Sequence, residues 1–295
     1  MEVLIVSKDT NHHASALRDR LEAVFDNGSV DLVPIPADKT ISFGRNFGAE
    51  RSRGKYLAFV DADVRLDEDW VAVMTSALRD NPNSVLSGAV QQADTDRTSV
   101  DVIKSSMSQA NAGMVNALPG NALFMEKSVF EQYPKFPEHL ETCEDWVFTN
   151  TLSQSGDIVL SANSHYVHLG EDKNYRTLFR KEIWRGTSNV GSINGRKIEP
   201  AEWPSFIVPV VVGVSFVLAL LSLLFGQLSI GVSLLLFSLL APVLYAIRLK
   251  RKSAVPVAFP MLVYFYLVYF LARSVGMVKG VFTGVTLKER KRKST

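Results

Sequence analysis

Apolar positions follow two regimes along the chain, and the regimes meet near Trp203-Pro204. Before that point, apolar runs of strand length alternate with stretches of helical spacing. Val3 to Val6, Val30 to Ile35, Tyr56 to Val60 and Val85 to Val90 read as strands. Ala14 to Phe25 reads as a helix, with Leu17, Leu21, Val24 and Phe25 on one stripe, and Gly44 to Ser52 and Trp70 to Leu78 read as two more. Strands alternating with helices predict an α/β domain: a Rossmann-like, mostly parallel sheet with helices on both faces. Such a sheet binds ligands beyond the carboxyl ends of its strands.

After Trp203 come three runs without charge: Phe206 to Phe225, Leu228 to Ile247 and Ala254 to Ala272. Each is about 20 residues long, the length of helix that spans a bilayer. The expected organisation is an α/β domain over 1–203, a membrane region over 204–287 with two or three transmembrane helices, and a basic tail over 288–295. Just before the membrane region, Tyr175, Leu178, Phe179, Ile183 and Trp184 share helical spacing with Arg176, Arg180, Lys181 and Arg185. A basic amphipathic helix beside an anchor predicts an interface helix over 174–195.

Charge orients these segments. The net charge of +2 says little about partners, but its distribution says more. The turn Gly226-Gln227 is uncharged, whereas Arg248-Leu249-Lys250-Arg251-Lys252 is strongly basic. The positive-inside rule puts the basic loop, and with it residues 1–203, in the cytoplasm of a multi-pass membrane protein. The third run conflicts with that rule. A single span would put the tail Lys288 to Lys293 outside; a re-entrant or interface-lying segment, with Pro256 and Pro260 breaking or tilting it, would keep both basic clusters inside. Three full spans, two spans with re-entry and two with an interface segment all stay open. Cys143 is the only cysteine, so no intrachain disulfide can form. The opening MEVLIVSKD has no basic n-region or long apolar run, so no signal peptide is expected.

The candidate chemistry begins where Tyr56 to Val60 runs into Asp61-Ala62-Asp63. Residues i and i+2 of an extended chain face the same way. Two carboxylates on one face repel unless a cation lies between them. Their oxygens suit a hard ion, Mg²⁺ or Mn²⁺, which also grips a diphosphate and neutralises a leaving nucleotide. An isolated Asp-x-Asp is more often an ordinary strand-end turn. The neighbours shift the balance: Ser42-Phe43-Gly44-Arg45-Asn46-Phe47-Gly48-Ala49, then Gly54-Lys55-Tyr56-Leu57-Ala58-Phe59-Val60-Asp61-Ala62-Asp63-Val64. Further on come Gly120-Asn121-Ala122-Leu123-Phe124 and Glu144-Asp145-Trp146.

In these stretches the chain resembles the family 2 glycosyltransferases of the GT-A fold, over roughly residues 1 to 190. The resemblance implies an enzyme that moves a sugar from a nucleotide donor, UDP- or GDP-linked, with inversion at the anomeric carbon. It implies that Asp63 and Asp61 hold a divalent cation and the donor diphosphate, with Arg45 and Asn46 on the donor side. Asp145 would be the general base toward the acceptor hydroxyl, with Gly120, Asn121, Glu144 and Trp146 beside it. Helix-starting acids such as Glu144-Asp145 also simply complement a helix dipole, and both roles can hold together. In related enzymes a histidine in the zone of His165 and His168 completes the metal shell, and His168 fits better. Asp38 is the candidate for base recognition, although Ser7-Lys8-Asp9-Thr10 and Pro36-Ala37-Asp38 depart from the family's text.

Processive synthases of the family carry Gln-x-x-Arg-Trp in the zone where this chain has Arg180-Lys181-Glu182-Ile183-Trp184-Arg185. Transfer of a single sugar is therefore expected. The apolar segments point to an acceptor that is a membrane lipid or lipid-linked glycan, reached at the cytoplasmic face. A transferase acting on polyprenyl phosphate is the nearest alternative, and a membrane scaffold or transporter with a degenerate nucleotide-binding domain the more distant one. No nucleic-acid polymer is expected as a partner; a homo-oligomer is compatible with the sequence.

Overall fold

The computed structural model describes residues 1–8, 16, 19, 20, 22, 23, 30–140, 142–192, 198 and 200–293. The helix expected over Ala14 to Phe25 lies largely outside these residues, as do Asp9 and Thr10. Two compact units emerge: Met1–Val90 with Ala112–Tyr166, and Gln91–Asn111 with Val167–Thr295. The division is not a single cut at Trp203. Residues 91–111 and 167–192 group with the apolar helices because Val100, Ile103 and Leu178 are buried in one cluster with Leu249, Val255, Leu262 and Phe265.

In the first unit, β1 (Val3–Ser7) and β2 (Val30–Pro34) pair in parallel. Helix α1 (Ile41–Arg51) starts where the Thr40 hydroxyl accepts from the Phe43 N–H at 3.2 Å, a side-chain N-cap. Then come β3 (Tyr56–Val60), β4 (Val64–Leu66), α2 (Trp70–Asp80) and β5 (Ser84–Gln92). The chain returns with β6 (Gly113–Val115), β7 (Ala122–Glu126), α4 (Lys127–Gln132), α5 (Glu144–Leu152) and β8 (Asp157–His168). Helix α3 (Ser99–Gln109) lies between β5 and β6 in sequence.

The larger sheet has the order β3-β7-β5-β8-β4, with β6 on β8. The α/β class holds, but the expectation of mostly parallel strands needs correction. β7 runs antiparallel to both β3 and β5, and β6 antiparallel to β8. The reason is the path: β7 enters between β3 and β5 from the end at which β3 leaves. Alternating burial marks a strand without marking its direction, so the sequence pattern carries no sign of this. Leu57 and Phe59 of β3 point into a core with Leu86, Leu123, Met125 and Phe148. Phe136 stacks on Phe148 at 3.9 Å and meets Phe59 edge-on at 5.2 Å. Each such ring contributes about 1.5–3 kcal/mol by leaving water. The aromatic knot fixes the carboxyl end of β3 against the start of α5.

The second unit holds α3, α6 (Tyr175–Ser192), α7 (Trp203–Leu224), α8 (Leu228–Lys252) and α9 (Phe259–Lys293). Trp203–Leu224, Leu228–Lys252 and Phe259–Phe282 are long and apolar enough to cross a membrane. The third apolar segment is one unbroken helix. Pro256 precedes it and Pro260 sits in its first turn, where a missing N–H breaks no intrahelical bond. A path that enters and returns on two short legs is therefore not adopted.

Candidate active site

The site in the first unit is built around one arginine. Arg45 projects from α1, and its Nη2 donates to Asp61 Oδ1 at 2.9 Å and to the Gly120 carbonyl at 3.2 Å. Its Nη1 donates to Glu144 Oε1 at 3.0 Å. The guanidinium lies over the Phe136 ring, 5.3 Å from its centroid. Arg45 and Glu144 side chains are each 10% exposed, so these charge-assisted bonds operate largely out of water. A Cβ at position 120 would sit 2.8 Å from Arg45 Nη2. Glycine there is what lets the guanidinium reach the backbone.

The strand ends supply the rest. The Asp61 N–H donates to the Asn121 carbonyl at 3.0 Å, which ties the exit of β3 to the entry of β7. The Val64 N–H donates back to the Asp61 carbonyl at 3.1 Å, and this turn leaves Asp63 exposed. Asp145, in the first turn of α5, accepts from the Gly120 N–H at 2.9 Å through Oδ2 and from the Trp146 N–H at 2.7 Å through Oδ1. Trp146 itself is half-buried. Asn121 Nδ2 donates to the Tyr166 hydroxyl at 3.3 Å. Ahead of this turn, Cys143 adopts φ 62°, a left-handed conformation that costs a side-chain-bearing residue about 1–2 kcal/mol. Burial pushes the Glu144 carboxyl up, the Asp145 charge adds to this, and Arg45 pulls it back only in part.

Arg45, Asp61, Gly120, Asn121, Glu144 and Asp145 thus form one bonded set, with Asp63 beside it in sequence. The other expected residues have surroundings of their own. Asn46 is buried, and both ends of its amide serve the 136–138 loop. Nδ2 donates to the Phe136 carbonyl and to Glu138 Oε1, each at 2.9 Å, while Oδ1 accepts from the Phe136 N–H at 3.1 Å. Asp38 is exposed in the turn after β2. His165 Nδ1 lies 3.1 Å from Asp67 Oδ2.

His168 belongs to the second unit, where its Nδ1 is 3.4 Å from Glu171 Oε2. Glu171 also takes Lys104 Nζ at 2.6 Å and Gln91 Nε2 at 3.1 Å. Burial would raise the Glu171 carboxyl, but the bonds from His168 and Lys104 outweigh it and hold it far below the usual range. The Lys104–Glu171 pair, 67 residues apart, has no motif in the sequence. Tyr166 alone had a signal, its place in the alternation Ser164-His165-Tyr166-Val167-His168.

The donor set bears on the metal. Among the described residues, no group of three His, Cys, Asp or Glu is placed to hold an ion by itself. Mg²⁺ and Mn²⁺ do not require one: they take one or two carboxylates and complete the shell with phosphate oxygens and water. Asp61 and Asp63 fit an ion of that kind arriving with a diphosphate.

Comparison with known proteins bears on the fold and the family. Residues 1–126 match the family model described as Glycosyl transferase family 2. No curated protein matches the chain. Among solved structures, the chain is similar to mannosyltransferase PcManGT from Pyrobaculum calidifontis, determined with GDP-Man and Mn²⁺. Identity is 14% over 96% of this chain and 78% of that one, with a TM-score of 0.61. TarS 1–349 of S. aureus gives 13% identity over 94% and 80% of the two chains, with a TM-score of 0.47. The fold is of the GT-A type. The chain carries a family 2 glycosyltransferase domain over residues 1–126.

Proposed function

We propose that the protein transfers a single sugar, with inversion, from a GDP- or UDP-linked donor to a membrane lipid or lipid-linked glycan at the cytoplasmic face. The observation that carries this reading is the Arg45 bridge, which joins Asp61 at the donor end to Glu144 beside Asp145 at the acceptor end. Asp61 and Asp63 would hold a divalent cation, Mg²⁺ or Mn²⁺, which when bound neutralises charge on the leaving diphosphate. PcManGT was determined with GDP-Man and Mn²⁺, which supports an ion and donor of this class. Asp145 accepts the proton of the acceptor hydroxyl; its bonds to the Gly120 and Trp146 N–H groups hold the carboxylate in one orientation. Arg45 and Asn46 shape the site, Arg45 by spacing the carboxylates and Asn46 by fastening the 136–138 loop. Asp38 would meet the base. His168 is proposed to act through Glu171 in positioning the segment after β8, rather than on the metal.

The test is a screen of nucleotide sugars for nucleotide release, with membrane extract as acceptor source, on the full chain and on Asp63→Ala. Release from one donor, dependent on Mg²⁺ or Mn²⁺ and lost in Asp63→Ala, is expected. Undiminished turnover by Asp63→Ala in the presence of chelator would overturn the metal assignment.

A further inference from the structure

The apolar helices do not stand alone in their unit. Helix α6 runs beside α9 in the same direction for most of its length. The Tyr175 and Tyr264 rings meet at 4.8 Å. Glu182 Oε2 accepts from Arg273 Nε at 2.7 Å, and Arg185 closes on the other Glu182 oxygen. At Gly276 a Cβ would lie 2.2 Å from the Ile183 carbonyl oxygen; at Gly280 it would lie 2.5 Å from that of Thr187. These contacts advance in step along both helices, so α6 follows one face of residues 264–280.

The placement of α6 therefore decides the placement of α9. Polar sequence flanks α6 on both sides: Gly170-Glu171-Asp172-Lys173-Asn174 before it and Asn194-Gly195-Arg196-Lys197 up to Glu202 after it. Sequence this rich in charge does not cross hydrocarbon unpaired. Along α6, Arg176 and Arg180 are exposed, with Phe179 and Trp184 exposed beside them. Charges of this number are not carried through hydrocarbon by a single helix. Cationic and aromatic side chains together on one exposed face suit the headgroup layer. Helix α6 thus lies along the surface, and α9 lies there with it.

Helix α9 in turn fixes how much of α7 and α8 is left to enter the bilayer. Ser274 Oγ sits 2.0 Å from where a Gly213 Cβ would be, halfway along α7. Tyr245 of α8 meets the Phe270 ring at 5.1 Å. Beyond these contacts remain Val214–Leu224 and Leu228 to Leu244, where Leu220, Leu224, Phe225, Leu228, Phe237 and Leu244 are all more than half exposed. At about 1.5 Å per residue the α7 leg reaches ~16 Å and the α8 leg ~25 Å, both short of a hydrocarbon core of ~30 Å. The tip suits that depth. It carries no charge, and its N–H groups are bonded internally. Phe225 donates to Leu221 O at 3.0 Å, Gly226 to Leu223 O at 3.1 Å, Gln227 to Ser222 O at 2.8 Å and Leu228 to Gly226 O at 3.0 Å. A turn with its donors satisfied tolerates surroundings without water.

We propose that the chain is held from one face of the membrane only: α6 and α9 lie together in the headgroup layer, and the α7–α8 hairpin dips into the near leaflet without crossing. The basic loop Arg248 to Lys252 and the tail Lys288 to Lys293 then share one side, which removes the charge conflict of the third apolar run. This replaces the multi-pass crossing that hydropathy alone implies. It rests on membrane insertion of α7 and α8, and not on the transferase chemistry.

The test uses the full chain in a Cys143→Ser background carrying Lys252→Cys, Gln227→Cys or Thr295→Cys, and an impermeant maleimide. In intact cells all three should fail to label. In opened cells Lys252→Cys and Thr295→Cys should label, while Gln227→Cys should stay unlabelled until detergent dissolves the bilayer. Labelling of Gln227→Cys in intact cells would mean a crossing hairpin; labelling of Thr295→Cys there would mean that α9 crosses. Either result overturns the proposal. Release of the unmodified chain from membranes by alkaline carbonate would overturn insertion itself and leave the transferase reading untouched.

Discussion

Replacing Arg45 by Met keeps an unbranched apolar stem against Phe136 and removes the guanidinium. The substitution takes a cationic partner from two carboxylates at once. Glu144, 10% exposed, loses its counter-charge, and Asp61, 27% exposed, loses its own. Removing one partner of a buried ion pair costs about 3–5 kcal/mol, because the other is left buried and uncompensated. Water reaches Asp61 and discounts its share, so about 3 kcal/mol of lost stability is expected. Adding Glu144→Gln removes the stranded buried charge, and the double variant should regain about half of that loss. The assay is denaturant unfolding of the full chain in detergent, followed by tryptophan fluorescence, for both single variants and the double. A loss below about 1 kcal/mol for Arg45→Met, or losses that simply add, would refute the bridge as an energetic feature.

The same variants carry a pH signature. The Glu144 carboxyl is pushed up by burial and then by Asp145. A carboxyl raised in the folded state keeps a proton that the unfolded chain has lost. Stability on its account therefore falls as pH rises from the ordinary carboxylate value through the folded one. Without Arg45 the rise is larger, so the penalty of Arg45→Met should shrink on acidification.

Asp145→Asn should retain donor binding while turnover falls by about 10²–10⁴-fold, the usual worth of a general base; equal collapse of donor affinity, read by titration with nucleotide and Mn²⁺, would move the base elsewhere. Cys143→Gly relieves the left-handed backbone and should raise stability by about 1 kcal/mol, whereas Cys143→Val should lower it, as unfolding midpoints would show. Glu171 has a depressed carboxyl, so its contribution is present above the ordinary carboxylate value and disappears as pH falls below it. Glu171→Gln should therefore flatten the acid limb of a stability profile; an unchanged limb would show that the Lys104 and His168 contacts contribute nothing.

Local pattern made some elements plain and hid others for physical reasons. β3 was legible because Tyr56 to Val60 is apolar and ends abruptly in two acids. The three apolar runs were legible by length, and α6 by the spacing of Leu178 and Ile183. Helix α3 left no comparable mark: Ser99 to Gln109 mixes Ser, Asp and Lys with a narrow apolar stripe, and its burial comes from distant partners such as Leu262. The direction of β7 was invisible because a buried strand reads alike both ways. In the sequence Arg45 is only one letter of a donor-side motif, since its bond to Glu144 joins residues 99 positions apart. Asn46, grouped with Arg45 by adjacency, faces the 136–138 loop instead, because neighbours on a helix point about 100° apart. The fate of the third apolar run needed the contacts of Gly276 and Gly280, which hydropathy does not contain.

The pairing of β3 with β7 links foldability to chemistry in a way that constrains how this chain can vary. Val60 sits opposite Ala122 and Tyr56 opposite Glu126, and because the strands are antiparallel, the last residue of one lies beside the first of the other. Asp61 and Asn121 are therefore neighbours by register alone. A slip of one position would turn Phe59 out of the core and at the same time draw Asp61 away from Asn121, Gly120 and Arg45. The residues that keep Leu57 and Phe59 inward are thus guardians of the carboxylate spacing, although they touch no substrate. Substitutions that merely loosen this core should be read as active-site substitutions. The chain is freest to vary in the exposed loops, and least free in these ten paired strand positions.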